Sequence, residues 1–170
     1  AGISAQQAET GGAARFTGIA LLWLRGLIRL ADGDETGALA DFEGELSHET
    51  SGHLYARECC ANTWYAIGAL RLRRGELVEA RAAFAQTLDR LPIHPMARAG
   101  LAVVAAREGH RDAPSPAALH DPPLPVEAVI ARAAVAALVA GDAGLASAVT
   151  SVEQALAAAP AGNAGWLIPI

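Results

Sequence analysis

With 170 residues, 52% apolar and 18% charged, the chain can bury a sizeable core in one domain and is too apolar to stay disordered. Its net charge of −5 lacks the basic footprint of nucleic-acid binding, so no nucleic-acid partner is expected. All thirteen basic residues are Arg, which reads as the codon bias of a GC-rich genome. Abundant alanine with few β-branched residues favours helix over strand, so the expected class is all-α.

In chain order, the first expected helix covers 13–31. It contains the longest apolar stretch, Gly18–Ala31, which Arg25 and Arg29 interrupt. That stretch is too short and too charged to span a bilayer, so no membrane span is expected. A helix over 35–49 follows. Asp32, Asp34, Glu35, Asp41, Glu43, Glu45 and Glu49 lie in or just before it, with no Arg between 31 and 50, and are expected to form a solvated acidic face. The helix over 53–74 carries the adjacent Cys59 and Cys60, whose geometry disfavours pairing with each other. They are expected as small buried or half-buried residues, in a reducing, cytoplasmic setting. Helices over 77–90 and 95–108 come next. Residues 71–111 hold eight Arg against four acids. Pro114, Pro116, Pro122, Pro123 and Pro125 forbid a continuous helix over 110–125, which reads as a surface loop. Helices over 125–140 and 145–159 complete the plan. The missing initiating Met and the abrupt apolar ending from Gly165 to Ile170 point to a piece of a longer protein.

One segment, 61–94, has the organisation of a repeat. Trp64, Ile67, Gly68 and Arg71 recur at helical spacing. Gly75 ends the first helix, Ala80 and Phe84 sit one turn apart on the second, and Pro92 redirects the chain. This closely resembles the tetratricopeptide (TPR) unit, W-x2-L-G-x2-Y followed by Ala, Phe and Pro over about 34 residues. Arg71 stands where that pattern has Tyr. A more divergent copy covers 19–52, with Leu22, Gly26, Gly33, Ala38, Phe42 and Leu46 in equivalent places. His53–Cys60 reads as an insertion that lengthens the next helix. A partial copy covers 95–109, with Arg98, Leu101, Ala102 and Gly109. The pair over 127–160, with Ala148, Val152, Ala155, Leu156 and Pro160, reads either as a degenerate repeat or as the delayed half of the third unit plus a cap.

The resemblance implies a single α-α superhelix of about three to four helix pairs, the third interrupted by the Pro-rich loop. It also implies that the first helix of each pair lines a concave groove that takes a peptide or a helix of a protein partner. The residues carried over to that groove are Trp23, Leu27 and Leu30, then Asn62, Tyr65, Ala69, Leu72 and Arg73, then Met96, Ala99, Val103 and Arg107. The chain has no Lys at all and has Trp23, Leu27, Tyr65 and Ala69 where carboxylate-clamp TPR domains use Lys and Asn. A clamp for chaperone C-termini is therefore not expected.

No catalytic constellation emerges from the sequence. His48 and His53 are wrongly spaced for a helical metal pair. Cys59 and Cys60 lack a nucleophile signature, and His94, His110 and His120 read as solvated turn or loop residues. Phosphate-loop, dinucleotide and hydrolase motifs are absent. The expectation is a non-enzymatic interaction scaffold without cofactor or metal. A regulatory or sensor segment of a larger polypeptide, contacting its own neighbouring domain, is the other reading. Self-association as a homodimer, through the tail at Trp166, Leu167 and Ile168, is also open.

Overall fold

The computed structural model describes residues 18–50, 54–110, 133 and 142–158. Among them are α1 (Leu21–Ala31), α2 (Glu35–Leu46), α3 (Ala56–Arg73), α4 (Leu77–Arg90), α5 (Pro95–Arg107) and α6 (Asp142–Ala158), with no strand. The described chain is all-α. The expected helix over 125–140 lies outside the described residues except for Ala133, which is helical. So do the Pro-rich loop, apart from His110, and the apolar ending.

The boundaries moved for local reasons. α1 starts at Leu21 because Ala20 has φ 71, a left-handed conformation that an α-helix cannot contain. Residues 47–50 are turns, so α2 stops short of 49. α3 starts at Ala56, inside the segment His53–Cys60, and runs 18 residues against 11 in α1. α6 begins at Asp142, three residues ahead of the expected start.

The same turn ends three helices. Gly33, Gly75 and Gly109 have φ of 83, 76 and 81. Only glycine takes up that conformation freely, and it frees the next N–H to reach back over the helix end. Thus Asp34, Glu76 and His110 N–H donate to the carbonyls of Arg29, Arg71 and Ala105 at 2.8, 2.9 and 3.0 Å. The glycine N–H groups bond Leu30, Leu72 and Ala106 at 3.0–3.1 Å. Two of these turns connect α1 to α2 and α3 to α4.

Packing follows chain order. α1 packs on α2, α2 on α3, α3 on α4, and α4 on α5, while α3 also touches α5. Phenylalanines lock these contacts. Phe42 lies over Gly26, where an added Cβ would come within 2.5 Å of its ring. Phe84 sits between Gly68 and Gly100, where a Cβ would meet its ring at 2.7 and 2.5 Å. Both rings are fully buried, each contributing about 1.5–3 kcal/mol by removal from water. A single apolar cluster runs through α1 to α5, from Trp23 to Val104. Among the described residues, no helix is long and apolar enough to cross a membrane.

Candidate functional site

The strip of first helices is the candidate site, and the structure sorts its residues into a floor and a rim. Trp23, Tyr65, Ala69, Met96 and Val103 are buried and belong to the core cluster, as do Leu72 and Ala99. Leu27, Leu30 and Asn62 are half-buried. Arg73 and Arg107 are exposed. Helical spacing puts the floor residues on one side of each helix, and their burial makes them packing residues first.

α3 and α5 are joined across the strip by polar contacts. The His94 ring lies 5.1 Å from Tyr65, and its Nε2 is 3.3 Å from Asn62 Oδ1. Its Nδ1 accepts the Ala97 N–H at 3.1 Å and caps the first turn of α5. With Nδ1 accepting, the neutral ring carries its proton on Nε2 and donates to Asn62. Burial lowers the His94 pKa to about 4 and pushes the Tyr65 phenol above its ordinary value. His94 is thus a buried cap and not a solvated turn residue. Pro95 immediately after it is the sequence signal, because proline favours the first position of a helix and the residue before it takes the cap. Tyr65 also stacks at 6.1 Å against Phe84, so this cluster ties the strip to the hairpin contact below it.

The rim arginines are already engaged. Arg107 Nη1 donates to the Leu72 carbonyl at 2.9 Å, capping the end of α3 from α5. Arg73 pairs with Glu35 at 3.2 Å, as does Arg74 at 3.1 Å. Each guanidinium carries five N–H donors, so an exposed Arg73 or Arg107 keeps donors for a further acceptor.

Every arginine among the described residues donates to an acid or a carbonyl. Arg25 and Arg29 hold Asp41, Arg71 holds Glu76 and Glu43, and Arg81 holds Glu108. Arg57 bonds the Asp89 and Arg90 carbonyls at the end of α4, and Arg98 bonds the Pro92 carbonyl through two nitrogens. Arg90 grips Glu49 with a two-nitrogen fork at 2.6 and 2.7 Å and lies 5.7 Å over the Trp64 ring. Forked geometry of this kind suits guanidinium and not ammonium. Arg71 and Arg29, each four residues before a turn glycine, both contact the glycine turn that follows.

These pairs change the reading of the acidic stretch. It is a solvated face only in part: Asp32, Asp34 and Glu43 are exposed, Glu35 and Glu49 half-buried, and two acids lie inside. Asp41 and Glu45 are 4% and 1% exposed. The hydrogen bond from Arg25 holds the Asp41 carboxyl below its ordinary range. Glu45 reaches from α2 to the start of α1 and accepts from the Ala20, Leu22 and Trp23 N–H groups at 2.6, 3.1 and 3.3 Å. It thereby satisfies donors that the first turn of a helix leaves unpaired. Glu35, Glu43 and Glu49 meet arginines of the next hairpin, so the charge asymmetry along the sequence cancels in space.

Cys59 and Cys60 are free thiols on α3. The Cys59 thiol donates to Glu45 at 3.6 Å. Burial, with the Glu45 carboxylate beside it, pushes Cys59 up to about 12, and burial with Glu49 and Glu45 nearby pushes Cys60 up to about 11. No group of three or more His, Cys, Asp or Glu among the described residues could hold a metal ion. No family model matches the chain, and neither a curated protein nor a solved structure matches it.

Proposed function

We propose that the chain is a TPR-type helical-repeat scaffold that binds a peptide or helix of a protein partner along the strip formed by α1, α3 and α5. The supporting observation is the recurrence of one hairpin unit: the same glycine turn, and the same glycine under a phenylalanine at the same interval, in α1–α2 and α3–α4. Repeats of that kind stack into a curved surface whose use is contact. Recognition falls to the rim, because the floor is buried. Leu27 offers apolar surface, Asn62 a polar edge, and Arg73 and Arg107 spare N–H donors. The partner favoured by that set is an extended segment with an apolar side chain and carbonyl or carboxylate acceptors. The proposed role is non-enzymatic, and two free thiols fit a reducing compartment such as the cytoplasm.

A displayed peptide library selected on the immobilised chain tests this reading. Selected peptides are expected to lose about tenfold in affinity or more with Arg73→Gln, Arg107→Gln or Asn62→Ala, each shown by circular dichroism to fold. Equal affinity for all three folded variants would remove the strip from the proposal.

A further inference from the structure

The two joints between successive helical units are built differently. Between α3–α4 and α5 the joint is aromatic and close. The Phe84 ring lies between Gly68 of α3 and Gly100 of α5, and α3 itself touches α5. Between α1–α2 and α3 neither feature recurs. Phe42 lies over Gly26 of its own hairpin, Gly68 of α3 has Phe84 against it instead, and α1 makes no contact with α3 comparable to that of α3 with α5. The apolar cluster continues through this joint on the packing of α2 against α3.

What this joint has in addition is charge. Glu35 pairs with Arg73 and Arg74 at 3.2 and 3.1 Å, Glu43 with Arg71 at 3.7 Å, and Glu49 with Arg90 at 2.6 Å. These acids stand at the start of α2, inside it and just past its end, so they hold its whole length to α3–α4. Among the described residues, one ion pair, Arg81 with Glu108, joins α4 to the end of α5. The latching side chains are 11–58% exposed, so dissolved ions can screen them. A lone pair of this kind contributes little, but here several act on one joint. The hairpin meanwhile satisfies its own buried carboxylates. Asp41 is held by Arg25 and Arg29, and Glu45 by the first N–H groups of α1. Of these two acids only Glu45 has a contact beyond the hairpin, with the Cys59 thiol. Leaving α3 therefore strands no buried charge. Once away, a single helix pair cannot bury its apolar side and opens further. We propose that α1–α2 opens as a unit separate from α3–α5, and that the ion pairs of Glu35, Glu43 and Glu49 are a latch that ionic strength releases. Because α1 carries Leu27 and Leu30, the latch also governs that end of the strip, although the opening itself needs no ligand.

Amide hydrogen exchange on the full chain is the test, at about 0.05 M and about 1 M NaCl, between which the screening length falls from more than about 10 Å to about 3 Å. The amides of Leu27–Leu30 in α1 and Ala38–Phe42 in α2 are expected to exchange about tenfold faster at high salt, while those of Leu101–Val104 in α5 keep their rate. In Glu35→Gln/Glu43→Gln/Glu49→Gln, shown by circular dichroism to be helical, α1 and α2 should exchange fast already at low salt and gain little from more. Glu49→Gln alone serves if the triple variant does not fold, with a smaller shift in the same direction. Exchange in α1 and α2 that ignores salt in the parent overturns the proposal. So does a salt effect that persists in full in the triple variant, which would place the sensor elsewhere. Acceleration confined to α1, or shared equally by α5, would show that α1–α2 is not the opening unit. No peptide enters these measurements, so their outcome and that of the groove reading are independent.

Discussion

Replacing Gly100 with Ala probes the hairpin contact most sharply. The new Cβ would stand 2.5 Å from Phe84 Cε2, closer still to Cζ, and 2.8 Å from Cε1. The ring has little room to retreat toward α3, because it lies so close over Gly68 that an added Cβ there would also come within 2.7 Å of it. Overpacking of this kind costs about 1–3 kcal/mol, while alanine regains about 1 kcal/mol of helix propensity. With the ring held on both sides, the net loss expected is about 1–2 kcal/mol. Gly44→Ala in α2 is the control. Its Cβ meets only the end of the Leu22 side chain, at 3.1 Å, so the propensity gain should survive and stabilise by up to about 1 kcal/mol. Urea denaturation of both variants measures the difference, expected at about 1–3 kcal/mol between the two alanines. Phe84→Leu should cost less in the Gly100→Ala background than alone, because the smaller side chain relieves the clash. Equal stability of the two alanine variants, or strict additivity with Phe84→Leu, would refute the sandwiched-ring account.

Three further outcomes follow from buried polar groups. His94 is neutral when folded, with a pKa of about 4 against an ordinary 6.5, so its contribution is full above 6.5 and is lost as the pH falls toward 4. That slope, about 1.4 kcal/mol per pH unit, should flatten in His94→Asn, which keeps a cap acceptor; a parent and variant with the same slope between pH 6.5 and 4.5 would contradict the assignment. Glu45→Ala strands the N–H groups at the start of α1 and should destabilise by about 2–3 kcal/mol, with faster hydrogen exchange at Leu22 and Trp23; unchanged exchange there would show that the carboxylate does not cap. At pH 8, Cys59 and Cys60 should react with a disulfide reagent far more slowly than a free thiol and at full rate in denaturant, whereas prompt labelling of the folded chain would place them outside the core.

Much of this protein was determined locally, and its sequence shows that part. Helices appear where apolar residues recur at 3.6-residue spacing, and they end where Gly33, Gly75 and Gly109 supply a conformation other residues resist. The pairing of a glycine with a later phenylalanine is equally legible, since a flat ring on one helix needs a missing side chain on the next. Those features depend on neighbours within one hairpin. What the tertiary structure alone decided are the partners of the charged and polar groups. Read linearly, the acids of 31–50 look solvated, and His94 looks like a turn residue. Stacking brings Glu35, Glu43 and Glu49 against arginines of the following hairpin, and turns Glu45 back onto the start of α1. It also buries Tyr65, Met96 and Val103, whose spacing alone suits a groove floor and a core equally well. Spacing says which side of a helix a residue occupies; only the neighbouring helix says whether that side meets water, a carboxylate or another ring.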